Sequence, residues 1–420
     1  MQSEIPALRD LVLIGGGHSH VQVLKKFAMN PVPGVRITLI SESALSPYSG
    51  MLPGYIAGAY SEKDINIALG PLCVFAKARL ICARVTGIDP VENTIALADR
   101  PSLRFDVLSL NCGAEQAPVT GQGMRVKPLN KFMPKWAEIK KRIHADTHYA
   151  SSIAIIGAGA TGVELAAELH RTTREVVAFG LDRIDVDKDI KVSLIEAADR
   201  ILPALVPRLS EATEQLLSRL GVQVLTKSKV MEVMPTGIRL ADGSEIESEL
   251  VVWAAGVKAP DFLKDFSGLE TNRINQLVVH DTLQTTRDPD IFALGDCAAC
   301  PCSDADGGRA GIVPPRAQAA HQQATHMLHQ IQRRLANQPL KPYRYRDFGS
   351  LVSLGKFSTV GNMMGGLIGK SLMIEGYFAK LMYLSLYKLH ELAIHGTLKT
   401  TLITLSRMIT KQTNPTVKLH

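Results

Sequence analysis

Ser152-Ile153-Ala154-Ile155-Ile156-Gly157-Ala158-Gly159-Ala160-Thr161-Gly162-Val163-Glu164-Leu165-Ala166-Ala167-Glu168 decides the fold. Five small or branched apolar residues read as a buried parallel strand. Three glycines at G-x-G-x-x-G spacing then make a tight turn, and Val163 to His170 reads as a helix. The first glycine permits the turn, the second lets a pyrophosphate approach the backbone, and the third lets helix and strand pack closely. The helix N-terminus brings unpaired N–H groups and a positive dipole end to an anionic ligand. Val192 to Ile195 is the next strand, and Glu196 ends it. A carboxylate there accepts hydrogen bonds from ribose hydroxyls and repels a 2′-phosphate, which points to NADH over NADPH; Arg200 close by works against that preference.

The same phrase occurs upstream. Arg9 to Ile14 is an apolar strand, Gly15-Gly16-Gly17-His18-Ser19-His20 the turn, 18–28 a helix, Val35 to Ile40 a strand, and Glu42 the acid. Here the third position is His20. A histidine packs less closely than glycine, so the helix is expected to sit off its strand or to splay the side chain outward. His18 and His20 read as a hydrogen-bonded pair at a helix start rather than as metal ligands. Two βαβ units in one chain indicate a duplicated architecture. Met231 to Val252 alternates around Ala241-Asp242-Gly243-Ser244, a hairpin signal, and Trp253-Ala254-Ala255-Gly256 closes a strand with small residues.

The 420 residues allow two or three domains, and 46% hydrophobic residues argue against disorder. Net charge is +7, but basic residues alternate with apolar ones in the tail instead of forming a stripe, which speaks against nucleic acid. Of the six cysteines, Cys73, Cys82 and Cys112 are scattered, which suits a reducing compartment rather than a disulfide framework. Cys297-x-x-Cys300-x-Cys302 has a metal-like spacing without a matching distal ligand set, so no metal is expected. The N-terminus does not read as a secretory signal, and no apolar run approaches the ~18 residues of a spanning helix.

Thr285-Thr286-Arg287-Asp288-Pro289-Asp290-Ile291-Phe292-Ala293-Leu294-Gly295-Asp296 resembles the second FAD signature of the pyridine nucleotide-disulfide reductase superfamily. That resemblance implies Gly15, Gly17, Glu42, Gly295 and Asp296 for FAD, the aspartate on the ribityl chain, with a nucleotide domain inserted between two FAD halves. Gly157 to Glu168, Trp253 to Pro260, Leu269 to Asp296, Val313 to Gln322, Gly349 to Gly355 and the ending Val417 to His420 resemble the bacterial type II NADH dehydrogenases, non-proton-pumping NADH:quinone reductases. The likeness implies that Ala317, Gln318 and Gln322 lie where flavin and quinone meet. It also implies that Glu164 lies near the nicotinamide side of the flavin, and that Gly256 lines the NADH side. Lys356 is a candidate for protonation or charge balance at the quinone. The first ~145 residues depart from that family: Gly15 to His20 and Pro47 to Gly54 are similar to the flavoprotein domain fused to selenide, water dikinase. Disulfide reductases carry Cys-x4-Cys on the helix after the first glycine turn, and here that helix has none.

The expected architecture is α/β, with two Rossmann-like dinucleotide-binding domains, for FAD and NADH, and a C-terminal amphipathic membrane-associating region. Residues 1–118 form the first FAD half, 119–277 the NADH domain, 278–345 the second FAD half and 346–420 the membrane and quinone side. Tyr377 to Leu389 and Leu398 to Lys411 place apolar residues at helical intervals between Lys and Arg, as in helices lying in a membrane interface; packing on the protein or a homodimer is the alternative. The expected enzyme is a peripheral NADH:quinone oxidoreductase on the cytoplasmic face of the inner membrane. A sulfide:quinone reductase, a soluble reductase linked to selenium metabolism or a protein carrier, and a slow flavoprotein sensor are the rivals.

Overall fold

Arg9–Ile14 and Ser152–Ile156, the two apolar runs that end in glycine, each form the central strand of a five-stranded parallel sheet. The computed structural model describes residues 9–58, 60–116, 121, 123–145, 152–178, 190–266, 268–303, 309–354, 359–363, 372–375, 385, 388, 392 and 396–413. In chain order the elements that position the site are β1 (Arg9–Ile14), α1 (His18–Met29), β2 (Val35–Ser41), β3 (Arg79–Cys82), β4 (Val107–Leu110) and β5 (Met124–Arg125). They continue with β6 (Ser152–Ile156), α2 (Ala160–Ala178), β7 (Lys191–Ile195), β8 (Val222–Leu225), β9 (Leu250–Trp253), β10 (Ile291–Ala293), α3 (Ala317–Leu335) and α4 (Thr397–Thr413).

Two compact units result: residues 1–50, 63–117 and 257–347, and residues 51–62, 118–256 and 348–420. The first unit's sheet has the order β10-β4-β1-β2-β3, all parallel. Its inner strands are buried on both faces: Leu11 to Ile14 and Val107 to Leu110 are closed to solvent, while the edge strand β3 is not. That explains their unbroken apolar run. Helix α1 buries His20, Val23, Leu24 and Phe27, three to four residues apart, and packs against α3. The third strand returns to the fourth through an antiparallel meander, Val85–Asp89, Thr94–Leu97 and Arg100–Arg104.

The second unit repeats this plan with the order β5-β9-β6-β7-β8, all parallel. Its crossover is also a three-stranded meander, Val230–Met234, Gly237–Leu240 and Glu245–Glu247. The turn at Ala241 to Ser244 falls where the hairpin signal predicts it: the Asp242 carboxylate accepts from Ser244 N and Oγ. Only the origin of the outer strand differs. In the first unit β10 comes from residues after the second unit, whereas in the second unit β5 precedes the glycine turn. Among the described residues no helix is long and apolar enough to cross a membrane.

Candidate active site

In each unit the glycine turn leaves the carboxyl end of the central strand, where open α/β sheets bind ligands. The two turns share their backbone bonds. Gly15 N donates to Ile40 O at 2.8 Å, and Gly157 N to Ile195 O at 2.7 Å. Val21 N reaches Gly17 O at 3.1 Å, and Val163 N reaches Gly159 O at 3.0 Å. The neighbouring strands are tied by Asn111 N to Ile14 O at 2.9 Å and Ala254 N to Ile156 O at 2.8 Å. Gly15 and Gly157 have φ of +94° and +100°, a left-handed region that excludes ordinary side chains.

What fills the turns differs. A Cβ on Gly162 would lie 1.8 Å from Gly157 O, so helix and turn touch directly. At the matching place in the first unit, His20 turns inward, not outward as one sequence expectation had it. Its ring is fully buried, with Nδ1 2.7 Å from Gly15 O and Nε2 2.9 Å from Ser109 Oγ. Desolvation by burial lowers its pKa from 6.5 to about 4 despite the Gly15 bond, so the imidazole is neutral. His18 packs against Tyr48, ring centroids 5.1 Å apart, and His20's bonds go to Gly15 and Ser109.

A Cβ on Gly17 would meet Asn111 Oδ1 at 2.2 Å, and one on Gly295 would meet Asn111 Nδ2 at 2.6 Å. The Asn111 amide is thus clamped between the first glycine turn and the Gly295-Asp296 turn, and its Nδ2 donates to Leu294 O at 2.8 Å. Gln323, on α3 one residue beyond Gln322, accepts from Gly295 N at 2.7 Å. Gly15, Gly17, Gly295 and Asp296 therefore come together. Glu42 stands exposed at the end of β2. Ser109, Asn111 and Gln323 escaped the sequence reading. The visible signal was polar residues inside the apolar run 107–111, where the second unit has Val252 and Ala254.

Buried Ser19 Oγ and Asn111 Oδ1 have no hydrogen-bond partner among the described residues, and α1 starts at Gly17 without a side-chain cap. Orphaned polar atoms at an uncapped helix N-terminus fit a phosphate-bearing ligand. In the second unit, chain neighbours aside, no atom of the described residues lies within 4 Å of a Cβ built on exposed Gly159, which leaves room for a ligand against the backbone.

Glu196 sits half-buried beside that turn. Its Oε2 accepts from Ala158 N at 2.7 Å and its Oε1 from Ala198 N at 2.9 Å. Arg200 is held locally, with Nη1 on Leu205 O and Ser210 Oγ at 2.7 and 2.9 Å and Nη2 on Pro203 O at 2.8 Å. Gly256, φ +64°, follows Ala255, whose backbone would be 2.7 Å from a Gly157 Cβ. Glu164, on the second turn of α2, accepts from Ser353 N at 3.0 Å.

On α3 in the first unit, Gln318 and Gln322 converge on one backbone group. Both Nε2 atoms donate to Arg346 O, at 3.2 and 2.8 Å, and Arg346 N donates to Gln322 Oε1 at 3.0 Å. Tyr345 OH donates to Gln318 Oε1 at 3.3 Å, and Ala317 is exposed at the helix start. Lys356 lies outside the described residues. Cys297 and Cys300 are buried and Cys302 half-buried; among the described residues no three metal-ligating side chains converge.

Two glycine turns at the carboxyl ends of two parallel sheets, joined by a Gly-Asp turn in the first, define an α/β protein of two Rossmann-like units. The chain belongs to the pyridine nucleotide-disulphide oxidoreductase family, whose sequence model matches residues 9–324. It is 44% identical over 269 residues to the type II NADH:quinone oxidoreductase of Haemophilus influenzae, covering 64% of this chain and 59% of that protein's length. The type II NADH:quinone oxidoreductase NdhA of Mycobacterium tuberculosis is 27% identical over 90% of this chain and 82% of its own. Among solved structures, NDH2 from Plasmodium falciparum in complex with NADH shares the fold at TM-score 0.78 and 18% identity, covering 98% of this chain and 100% of that one. The sulfide:quinone oxidoreductase of Aquifex aeolicus shares it at TM-score 0.75 and 17% identity, covering 93% and 92%.

Proposed function

We propose that this chain is an FAD-dependent, non-proton-pumping NADH:quinone oxidoreductase. The observation that carries the reading is the pair of cradles, alike in backbone and different in lining, in a chain 44% identical over 269 residues to a type II NADH:quinone oxidoreductase. Gly15, Gly17, Glu42, Gly295, Asp296, Ala317 and Gln318 hold FAD, with Ser19 and Asn111 supplying the polar atoms that lack partners. Gly157, Gly159, Gly162, Glu196 and Gly256 hold NADH. FAD, when bound, supplies the two-electron chemistry between hydride donor and quinone. Glu196 keeps the Ala158 N–H aligned and presents its remaining lone pairs to ribose hydroxyls. Its charge and the local bonding of Arg200 support NADH over NADPH. Glu164 orients the nicotinamide side, Gln318 and Gln322 fix the backbone at Arg346 on the quinone side, and Lys356 is the candidate for protonation or charge balance there. Residues 1–118 and 278–345 form the FAD domain, and 119–277 the inserted NADH domain.

The membrane supplies the quinone. On α4, Leu398, Leu402 and Leu405 are 76%, 57% and 51% exposed at helical spacing, while Thr400 is buried. An apolar stripe turned away from the protein, with Lys399 and Arg407 nearby, suits a helix lying in the interface of the inner membrane's cytoplasmic face. A homodimer through the same stripe is the competing use.

The test is NADH oxidation by the full chain with a short-chain quinone, run against NADPH and against sulfide as donor. Fast NADH-specific, quinone-dependent turnover is expected. Rapid flavin reduction without quinone turnover sinks the reading and moves the acceptor to a soluble carrier.

A further inference from the structure

The middle residue of the second glycine turn has both backbone groups engaged. Ala158 is fully buried; its N–H donates to Glu196 Oε2 at 2.7 Å, and its carbonyl accepts from Leu202 N at 2.8 Å. The Ala158–Gly159 peptide is trans, so its C=O and N–H point in opposite directions. Fixing the carbonyl on Leu202 therefore turns the Gly159 N–H away from Leu202, and Gly159 is exposed. The first unit fixes the equivalent carbonyl by another route, with Ser46 Oγ donating to Gly16 O at 2.5 Å.

Leu202 makes its bond from a strained backbone. Its φ is +47°, a region that disfavours any residue with a Cβ, and the residue is buried. Such a conformation persists only where the surroundings impose it. Here Arg200 arranges them. Its Nη1 donates to Leu205 O at 2.7 Å and to Ser210 Oγ at 2.9 Å, and its Nη2 to Pro203 O at 2.8 Å. Leu205 N donates in turn to Leu202 O at 2.9 Å. The guanidinium thus ties the residues after Leu202 to Ser210, a buried residue near the start of helix Pro207–Arg219. On the other side, Ala198 N donates to Glu196 Oε1 at 2.9 Å, and Ala198 O accepts from Lys227 N at 2.8 Å. The stretch that carries Leu202 is held at both ends. The acceptors of Arg200 are all neutral oxygens, reached by a planar fork that lysine lacks.

We propose that Arg200 is a positioning residue for the pyrophosphate of the dinucleotide and not a receptor for a 2′-phosphate. Through residues 203–205 it keeps Leu202 left-handed, and Leu202 sets the Ala158–Gly159 peptide. The proposal rests on the reading of the second cradle as the NADH site. Without Arg200, Leu202 returns to an ordinary φ, its N–H leaves the Ala158 carbonyl, and the peptide is free to rotate. Ligands with and without a 2′-phosphate share the pyrophosphate, so they lose affinity together.

The experiment titrates ADP-ribose and its 2′-phosphorylated form into the full-length flavoprotein by calorimetry; neither ligand reduces the flavin. In Arg200→Met the Kd for each is expected to rise about tenfold, and in Ser210→Ala, which keeps the two carbonyl partners, about twofold. Arg200→Lys keeps the charge and is expected to match Arg200→Met. In stopped-flow reduction by NADH, the Kd rises by the same factor while the limiting rate stays within about twofold of the parent. Parent-like affinity for ADP-ribose in Arg200→Met overturns the proposal. So does a loss confined to the 2′-phosphorylated ligand, which would make Arg200 its receptor. Should Arg200→Met not fold, an unchanged Kd in Ser210→Ala overturns it. Failure of NADH to reduce the parent's flavin is a different result: it sinks the reading of the cradle, and the proposal with it.

Discussion

The glycine turn at residues 15–20 and the one at 157–162 share their backbone bonds, yet they solve the same packing problem with opposite chemistry. In the second, Gly162 lets the helix lie against the Gly157 carbonyl, and the facing strand offers Val252 and Ala254. In the first, the equivalent carbonyl of Gly15 is bonded by a buried imidazole, and the facing strand offers Ser109 and Asn111. The third glycine of the fingerprint is therefore one way to pack a helix against the carbonyl under a tight turn. A neutral histidine with a second partner on the next strand is another. The polar lining also leaves Ser19 and Asn111 with orphaned atoms, which among the described residues the second turn lacks.

The comparison breaks first at His20. Restoring the fingerprint by His20→Gly removes the partner of Gly15 O and Ser109 Oγ and opens a cavity. It is expected to destabilise the protein by about 4 kcal/mol in denaturant unfolding. A stabilised variant would mean that glycine is the better residue and that the network is incidental. The mirror change, Gly162→Ala, pushes a methyl against a carbonyl and should cost about 3 kcal/mol, with NADH affinity falling while flavin stays bound.

Acid sharpens the contrast further. The folded pKa of His20, about 4, lies below its ordinary 6.5, so the unfolded chain binds more protons between those values. Its contribution is complete above pH 6.5 and is lost as pH falls towards 4, about 3 kcal/mol over that window. A His20→Gln variant should lose this part of the acid sensitivity in unfolding curves taken at pH 7 and pH 5. Ser109→Ala has the smallest effect, about 1 kcal/mol, and abolishes one of the two His20 bonds.

Much of this was legible because it is local. Strand, glycine turn, helix and terminal acid follow one another in sequence, and the hairpin at 241–244 announces itself through Asp242 and Gly243. The partners were not legible, because they join distant segments: His20 with Ser109, Asn111 with Gly17 and Gly295, and Gln323 with Gly295. Strand β5 has two residues and no periodicity to read. Aligning the two copies within the chain would have helped, since polar Ser109 and Asn111 stand where the other copy is apolar. The inward turn of His20 follows from the same omission: without Ser109 as a partner, burying an imidazole looked more costly than exposing it.

The division of labour between the cradles is tested most directly at Gly159, where a Cβ would have no non-neighbouring atom of the described residues within 4 Å. The measurement is stopped-flow reduction of the bound flavin by NADH in Gly159→Val, with dithionite as a control. The account predicts a folded protein with full flavin content, reduced by dithionite and at least ~100-fold slower with NADH, a loss of about 3 kcal/mol or more. Reduction by NADH at the parent rate, or loss of the flavin, would contradict it.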